Sequence, residues 1–367
     1  MGREFASAVA RWCHLVEPAA RPEIVAIASR SAASFDWFRQ NFGSIEQATQ
    51  DYRQLLANPR VEVVYMAVPH HLHQEVCCAT LEAGKHLMAE KPVGMDQPAF
   101  EAIAACAAQH PQLFVRCASQ WMFYPPAQQI AGLIARNGVG RVIEVNAGFQ
   151  HTSDLDPNKP INWKRMIELN GEYGAMGDLG MHVCALPFRA GWIPRNVRAI
   201  LSDIVPERPD SQGHKVPCRT WDNATLLCEA IDPASSAPFP LTFRTQRISP
   251  GQKNSWYLEV LGTRGSARFS TRDPKRLEWL EYTGGEPVWQ FRQTGHETAY
   301  KTITGVNFEF GFSDAILQMW AAFFHELVHG QSPNRFAGCV TLEEVALSHH
   351  LFTAALVSQR TATVQIV

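Results

Sequence analysis

Up to about residue 120 the chain alternates between two apolar rhythms. Phe5, Ala8, Val9, Trp12 and Leu15 recur at helical spacing and predict a helix over 4–16. The short run from Glu23 to Ala28 suits a buried strand. Helices are expected over 31–42 and 51–56, the latter stopped near Asn58-Pro59. A Val-rich run over 61–68 predicts the next buried strand, ended by Pro69. There follow a helix over 73–83 closed by Gly84, a strand over 86–89, a helix over 97–109 and a strand over 113–117. Continuous apolar strands separated by helices imply an α/β, Rossmann-like, doubly wound parallel sheet covered on both faces, placed at 1–120.

Beyond residue 120 the rhythm changes. A helix over 127–137 is followed by strand-like runs at 142–149, 197–202, 225–230, 241–247, 256–261 and 267–270, the last two joined by a Gly262–Gly265 turn. This predicts an α+β domain over 121–367 with an open-faced antiparallel sheet. Amphipathic helices at 312–328 and 341–359 close the chain and can pack back on the first domain. The segment 151–174 reads as a long mixed loop.

Charge and composition narrow the function. The formal net charge is -2 with no long basic or acidic run, which argues against nucleic acid or an anionic membrane as partner. Nine cysteines, an odd number without a CxxC pair, fit a reducing, cytoplasmic compartment better than a disulfide framework. No apolar run reaches the roughly 18 residues of a membrane span, and the first residues do not read as a signal peptide.

Three motifs carry chemistry. Ala67-Val68-Pro69-His70-His71-Leu72-His73 follows a strand. Ala83-Gly84-Lys85-His86 leads through the next strand to Glu90-Lys91-Pro92. Gly177-Asp178-Leu179-Gly180-Met181-His182 lies some ninety residues further on. In this order and at these distances they resemble the glucose–fructose oxidoreductase / inositol dehydrogenase (Gfo/Idh/MocA) family over nearly the whole chain. The resemblance implies a Rossmann domain followed by an open-faced sheet domain, an NAD or NADP cofactor, and oxidation of a sugar or polyol hydroxyl or the reverse. It also implies a cis Lys91–Pro92 bond and a homodimer or homotetramer joined through the exposed sheet face, where Leu226, Phe243 and Trp256 are expected.

The resemblance assigns catalysis to Lys91, Asp178 and His182, and the residue types suit it. His182 is a natural general base near neutral pH. Lys91 can stabilise a developing alkoxide. If a helix begins near Gly177, the four-residue spacing puts Asp178 and His182 on one face, where Asp178 either holds substrate or orients the imidazole. Pro69, His70, His73, Glu90, Lys91 and Gln120 are expected near the cofactor. A zinc site built on His70, His71, His73, Cys77 and Cys78 is the weaker reading of that stretch, which lacks a second ligand pair. Trp163 and Lys164, with Asp178 and His182, are expected at the substrate. Asp154, Asp156, Asn158, Arg165 and Glu168 offer further polar groups, and Trp121, Phe123 and Tyr124 either wall the cleft or pack the interface.

Two departures bear on the cofactor. The G-x-G-x-x-G loop and the strand before it are not found, so the dinucleotide end reads as cut short, with Gly2 standing as the last glycine of that loop. Either the natural start lies upstream, or the shortened protein rearranges and binds cofactor weakly. Ser29-Arg30 stands where NAD users of this family tend to carry an acid. An uncharged residue followed by Arg modestly favours NADP, although a solvated turn reads the same way. Beside the dehydrogenase reading stand a sugar-binding relative that has lost the cofactor, and one that holds NAD tightly for transient oxidation in glycoside cleavage.

Overall fold

The computed structural model describes residues 1–367. The N-terminal part runs α1 (Gly2–Ala10), β1 (Ala26–Ala28), α2 (Phe35–Asn41), β2 (Gln47–Thr49), α3 (Tyr52–Leu56), β3 (Val63–Met66), α4 (His73–Glu82), β4 (His86–Ala89), α5 (Gln97–Gln109) and β5 (Val115–Cys117). Its strands are parallel but lie in two pieces, β1–β2 and β3–β4–β5, with no ladder between them. β2 had no apolar signal, since Gln47-Ala-Thr49 is short and mostly polar. α1 is shorter than its periodicity. It ends at Ala10, and a single tight turn, Trp12–His14, carries Trp12 on into the core. There Trp12 meets Phe324 edge-on at 5.5 Å and donates from Nε1 to the Ala20 carbonyl at 2.7 Å.

The rest of the chain runs α6 (Pro125–Ala135), β6 (Val142–Gln150), α7 (Ile167–Asn170), α8 (Met181–Ala190), β7 (Pro194–Ser202), the small hairpin β8 (Glu207–Pro209) and β9 (Lys215–Pro217), β10 (Asn223–Ile231), β11 (Pro238–Gln246), β12 (Ser255–Gly262), β13 (Gly265–Ser270), β14 (Arg276–Glu281), β15 (Gln290–Gln293), α9 (Phe312–His329), α10 (Leu342–Thr361) and β16 (Gln365–Ile366). Nine strands form one sheet in the order β15-β14-β13-β12-β6-β11-β10-β7-β16. It is mixed, not purely antiparallel. β6 leaves through the long loop, the chain returns at β7, and the β10–β11 hairpin brings β11 back beside β6 in parallel. α9 packs on α1, where Phe5 and Trp320 lie 4.1 Å apart, and α10 packs on α5, where His349 stacks on Phe100 at 4.9 Å.

One face of the large sheet is covered by helices. Ala224, Leu226, Cys228 and Ala230 of β10 and Phe239, Leu241 and Phe243 of β11 alternate into the core, each large side chain contributing about 1.5–3 kcal/mol. This corrects the expected oligomer face. Leu226, Phe243 and Trp256 are buried within the chain, Phe243 against Phe188 at 6.0 Å and Trp256 beneath α8. Because side chains alternate, the open face carries their neighbours instead, with Ile143, Ile200 and Leu227 at 51, 61 and 54% exposure.

Candidate active site

The C-terminal ends of β3, β4 and β5 open onto one crevice, the place where a parallel α/β sheet offers backbone and side chains to a ligand. β3 releases Ala67–His70, β4 releases Glu90 and Lys91, and β5 releases Ser119 and Gln120. The Lys91–Pro92 peptide is cis. The turn then passes through Val93 (φ 52) and Gly94 (φ 96), where a Cβ would lie 2.7 Å from the Phe100 nitrogen. Two buried imidazoles hold this turn. His73 Nδ1 accepts from the Gly94 N–H at 3.3 Å, and His349 Nε2 lies 3.1 Å from the carbonyls of both Pro92 and Val93.

Opposite this turn, Met176–Gly180 forms a wide π-helical turn that runs into α8. Gly180 lets it approach α10, since a Cβ there would sit 2.4 Å from the Phe352 ring. Asp178 projects from the turn into a cage of cations. Lys91 Nζ donates to its carbonyl at 2.5 Å and to Oδ1 at 2.7 Å. Lys164 Nζ lies 2.9 and 3.1 Å from its two oxygens, and Arg247 Nη2 is 2.5 Å from Oδ2. Burial pushes the carboxyl pKa up, but Arg247, Lys91 and Lys164 outweigh it and hold Asp178 well below the usual carboxylate range. Burial lowers the Lys164 pKa, with Asp178 pulling it back up.

Asp178 therefore does not orient the imidazole. His182 Nδ1 is instead 2.9 Å from Ser119 Oγ, and the oxygens of Asp178 are taken by the three cations. The reason is geometric: the wide turn before α8 aims the carboxylate across the cleft at Lys91 rather than along the helix. Burial, then the Lys91 charge, holds the His182 pKa well below 6.5, so the ring is neutral at pH 7.

Pro69, His70, Glu90, Lys91, Gln120, Trp163, Lys164, Asp178 and His182 line one cleft of about 510 Å³. His73 sits behind it, its Nε2 3.1 Å from the Val68 carbonyl. Trp163 packs edge-on against His70 at 4.9 Å. Gly2, Ser29 and Arg30 stand outside the cleft, Gly2 opening α1, Ser29 half-buried and Arg30 exposed after β1. Arg165 does not face a ligand: it is fully buried and paired with Asp222. Asp154 is likewise buried, between Lys159 at 2.9 Å and Arg247 at 3.3 Å. Glu168 pairs with Arg219 at the surface, and Asp156 and Asn158 are exposed. Trp121 lines the cleft, while Phe123 and Tyr124 are packed behind it.

Sequence order hid several participants. Arg247, Ser119, His151, Phe149 and His349 belong to no motif, and only the fold brings Phe149 and His151 to the cleft, Arg247 and Ser119 against Asp178 and His182, and His349 behind the Lys91 turn.

The fit to a dinucleotide rests on this crevice. A lined pocket lies between the tips of β3–β5 and α8, and β1 runs out into the half-buried Ser29 and the exposed Arg30. No helix is long and apolar enough to cross a membrane.

Comparison with known proteins agrees with this architecture. The family model described as "Oxidoreductase family, NAD-binding Rossmann fold" (GFO_IDH_MocA) matches residues 1–117. Levoglucosan dehydrogenase of Pseudarthrobacter phenanthrenivorans is 27% identical over 264 residues, 68% of this chain and 63% of that protein. An uncharacterized oxidoreductase of Rhizobium meliloti is matched over 46% of its length, so the chain spans about half to two thirds of these curated relatives. The D-xylose 1-dehydrogenase (NADP(+)) of Hypocrea jecorina is 30% identical over 280 residues, 72% of this chain and 68% of that protein. In fold, the chain is similar to levoglucosan dehydrogenase in complex with NADH, with a TM-score of 0.86 at 23% identity over 100% of this chain and 96% of that one. On the matched Rossmann segment and the relative shared over two thirds of its length, the chain belongs to the Gfo/Idh/MocA family of oxidoreductases.

Proposed function

We propose that the protein moves hydride between a nicotinamide cofactor and a hydroxyl-bearing carbon of a sugar or polyol, with Lys91, Asp178 and His182 as catalytic residues. A single observation carries this reading. A lysine from the β4 tip, an ionised carboxylate and a neutral imidazole from the start of α8 converge on one cleft. Pro69, His70, Glu90 and Gln120 would hold the nicotinamide end, and Gly2, Ser29 and Arg30 the remainder. Arg30 suits a 2′-phosphate, which favours NADP, the cofactor in the name of the Hypocrea jecorina relative. Bound there, the cofactor supplies the two-electron acceptor or donor.

The chain's own groups do the proton and charge work. Asp178 engages two of the three Lys91 donors through its carbonyl and carboxylate, which leaves one N–H for the substrate oxygen. His182, kept neutral by burial, takes the hydroxyl proton. Lys164 lines the same wall, and Trp163 offers an apolar face for a sugar ring. The exposed Ile143, Ile200 and Leu227 suit a homodimer or homotetramer built on the open sheet face. The unpaired thiols suit a reducing, cytoplasmic setting.

A second reading, a sugar-binding relative without cofactor, is favoured by one observation: β1–β2 and β3–β5 share no ladder, and Gly2, Ser29 and Arg30 stand off the cleft. Titration with NADPH and NADH, followed by tryptophan fluorescence, separates the two. Saturable binding that survives Lys91→Ala, together with turnover that does not, supports the dehydrogenase. No binding of either nucleotide supports the silent relative.

A further inference from the structure

Ser119 leaves the tip of β5 and is buried, at 1% exposure. Its Oγ lies 2.9 Å from His182 Nδ1, and Nε2 is the ring nitrogen left to the cleft. The backbone and ring of His182 are held from other sides as well. Trp256 Nε1 donates to the His182 carbonyl at 2.9 Å, and the Trp121 and Phe149 rings flank the imidazole at 6.3 and 5.8 Å, both close to edge-on. Asp178, the other candidate to orient the ring, is occupied by its three cations.

We propose that Ser119 is the positioning residue of His182: its hydroxyl engages Nδ1 so that Nε2 meets the reacting oxygen. The proposal rests on the redox reading above and adds a residue to it.

A hydroxyl suits a reaction that runs in both directions. It accepts from Nδ1–H when Nε2 offers a lone pair to a substrate hydroxyl. The imidazolium formed when Nε2 takes that proton keeps its Nδ1–H on the Ser119 oxygen, and in the reverse direction Nε2–H returns the proton to the carbonyl oxygen as hydride arrives at carbon. The same Nδ1–H to Oγ hydrogen bond therefore serves both directions, with Nε2 facing the reacting oxygen throughout. A carboxylate in its place could only accept, and would favour the imidazolium. The charged groups that face the ring are Lys91 from the β4 turn, Lys164 from the loop before α7 and Asp178 from the turn before α8. Their hydrogen bonds go to one another, which leaves Ser119 as the polar partner of the imidazole.

The test compares the parent protein with Ser119→Ala, Ser119→Thr and Ser119→Asp, using NADP+ or NAD+ with D-xylose or levoglucosan as probes. Ser119→Ala is expected to lower kcat about tenfold, with KM and NADPH binding little changed. Ser119→Thr should restore most of that loss. Ser119→Asp should move the acid limb of the kcat profile upward by about one pH unit. An unchanged kcat and pH profile in Ser119→Ala overturns the proposal, as does an equal loss in the Ala and Thr variants. If NADPH binds and neither probe turns over, the choice of probes or the redox reading has failed, and Ser119 is judged by nitrogen NMR of histidine-labelled protein. The ring signals that vanish in His182→Asn should shift in Ser119→Ala, and identical shifts would refute the pairing.

Discussion

The two sheets are built differently. β1 to β5 are three or four residues long and lie in two pieces, and every residue of β1 is only partly buried. β6, β7, β10 and β11 each run nine residues side by side in one sheet, and β10 and β11 alternate strictly in and out of the core. Short parallel strands end early and release chain into a crevice, so that half supplies Pro69, His70, Lys91 and Ser119. The long sheet buries whole charged side chains, Arg165, Arg247 and Asp222 among them. Recognition is thus spread over short strand tips, and the electrostatic frame is carried by the scaffold that can bury charge.

Breaking one ion pair in each half tests that contrast most severely. Arg165 and Asp222 are both fully buried, and Asp222 also accepts from the N–H groups of Ile204 at 2.7 Å and Val205 at 2.9 Å. Asp222→Ala should cost about 3–5 kcal/mol in chemical denaturation, because Arg165 is left buried without its counter-charge. Arg60 pairs with Glu23 and Glu46 at the surface of the N-terminal half. Arg60→Ala should cost at most about 1 kcal/mol, the smallest of these effects. Equal losses would erase the distinction.

Next in size is Lys91→Ala, expected to lower kcat about 100- to 1000-fold while nucleotide binding persists. It removes the cation that the strand tips present to the charge of the long-sheet half. Retained turnover would take Lys91 out of the mechanism.

Acid should act at the junction between the halves. Burial lowers the pKa of both His73 and His349 to about 4, and both hold the turn that follows Lys91. The unfolded chain takes up these protons near pH 6.5 and the folded chain only near 4. Stability is therefore complete above about pH 6.5, falls by a few kcal/mol as the pH drops toward 4, and changes no further from these groups below that. His349→Gln, which keeps a donor and does not titrate, should show a shallower decline. An unchanged slope would remove His349 from the account. Smaller still, Arg30→Ala should weaken NADPH about tenfold and spare NADH. Equal weakening of both would end the preference for NADP.

Much of this was legible from residue order. Apolar runs located β3, β4 and the long strands, and the spacing of Glu90-Lys91-Pro92 and Gly177 to His182 singled out three cleft residues. What was hidden depended on direction. Leu226, Phe243 and Trp256 face the covered side and not the open one, because alternation fixes which residues share a side, not which side is covered. Arg165 looked like a ligand contact because a loop arginine carries no mark of the buried Asp222 that meets it 57 positions later. Ser119 and Arg247 reach the cleft residues His182 and Asp178 only through tertiary placement, and no local pattern marks a serine that will face an imidazole 63 residues away.

A crystal structure grown with saturating NADPH tests the central claim most directly. The nicotinamide ring is predicted to lie against Pro69 and His70 with its reactive face toward Lys91 and His182. A dinucleotide seated elsewhere, or an empty cleft at saturation, would contradict it.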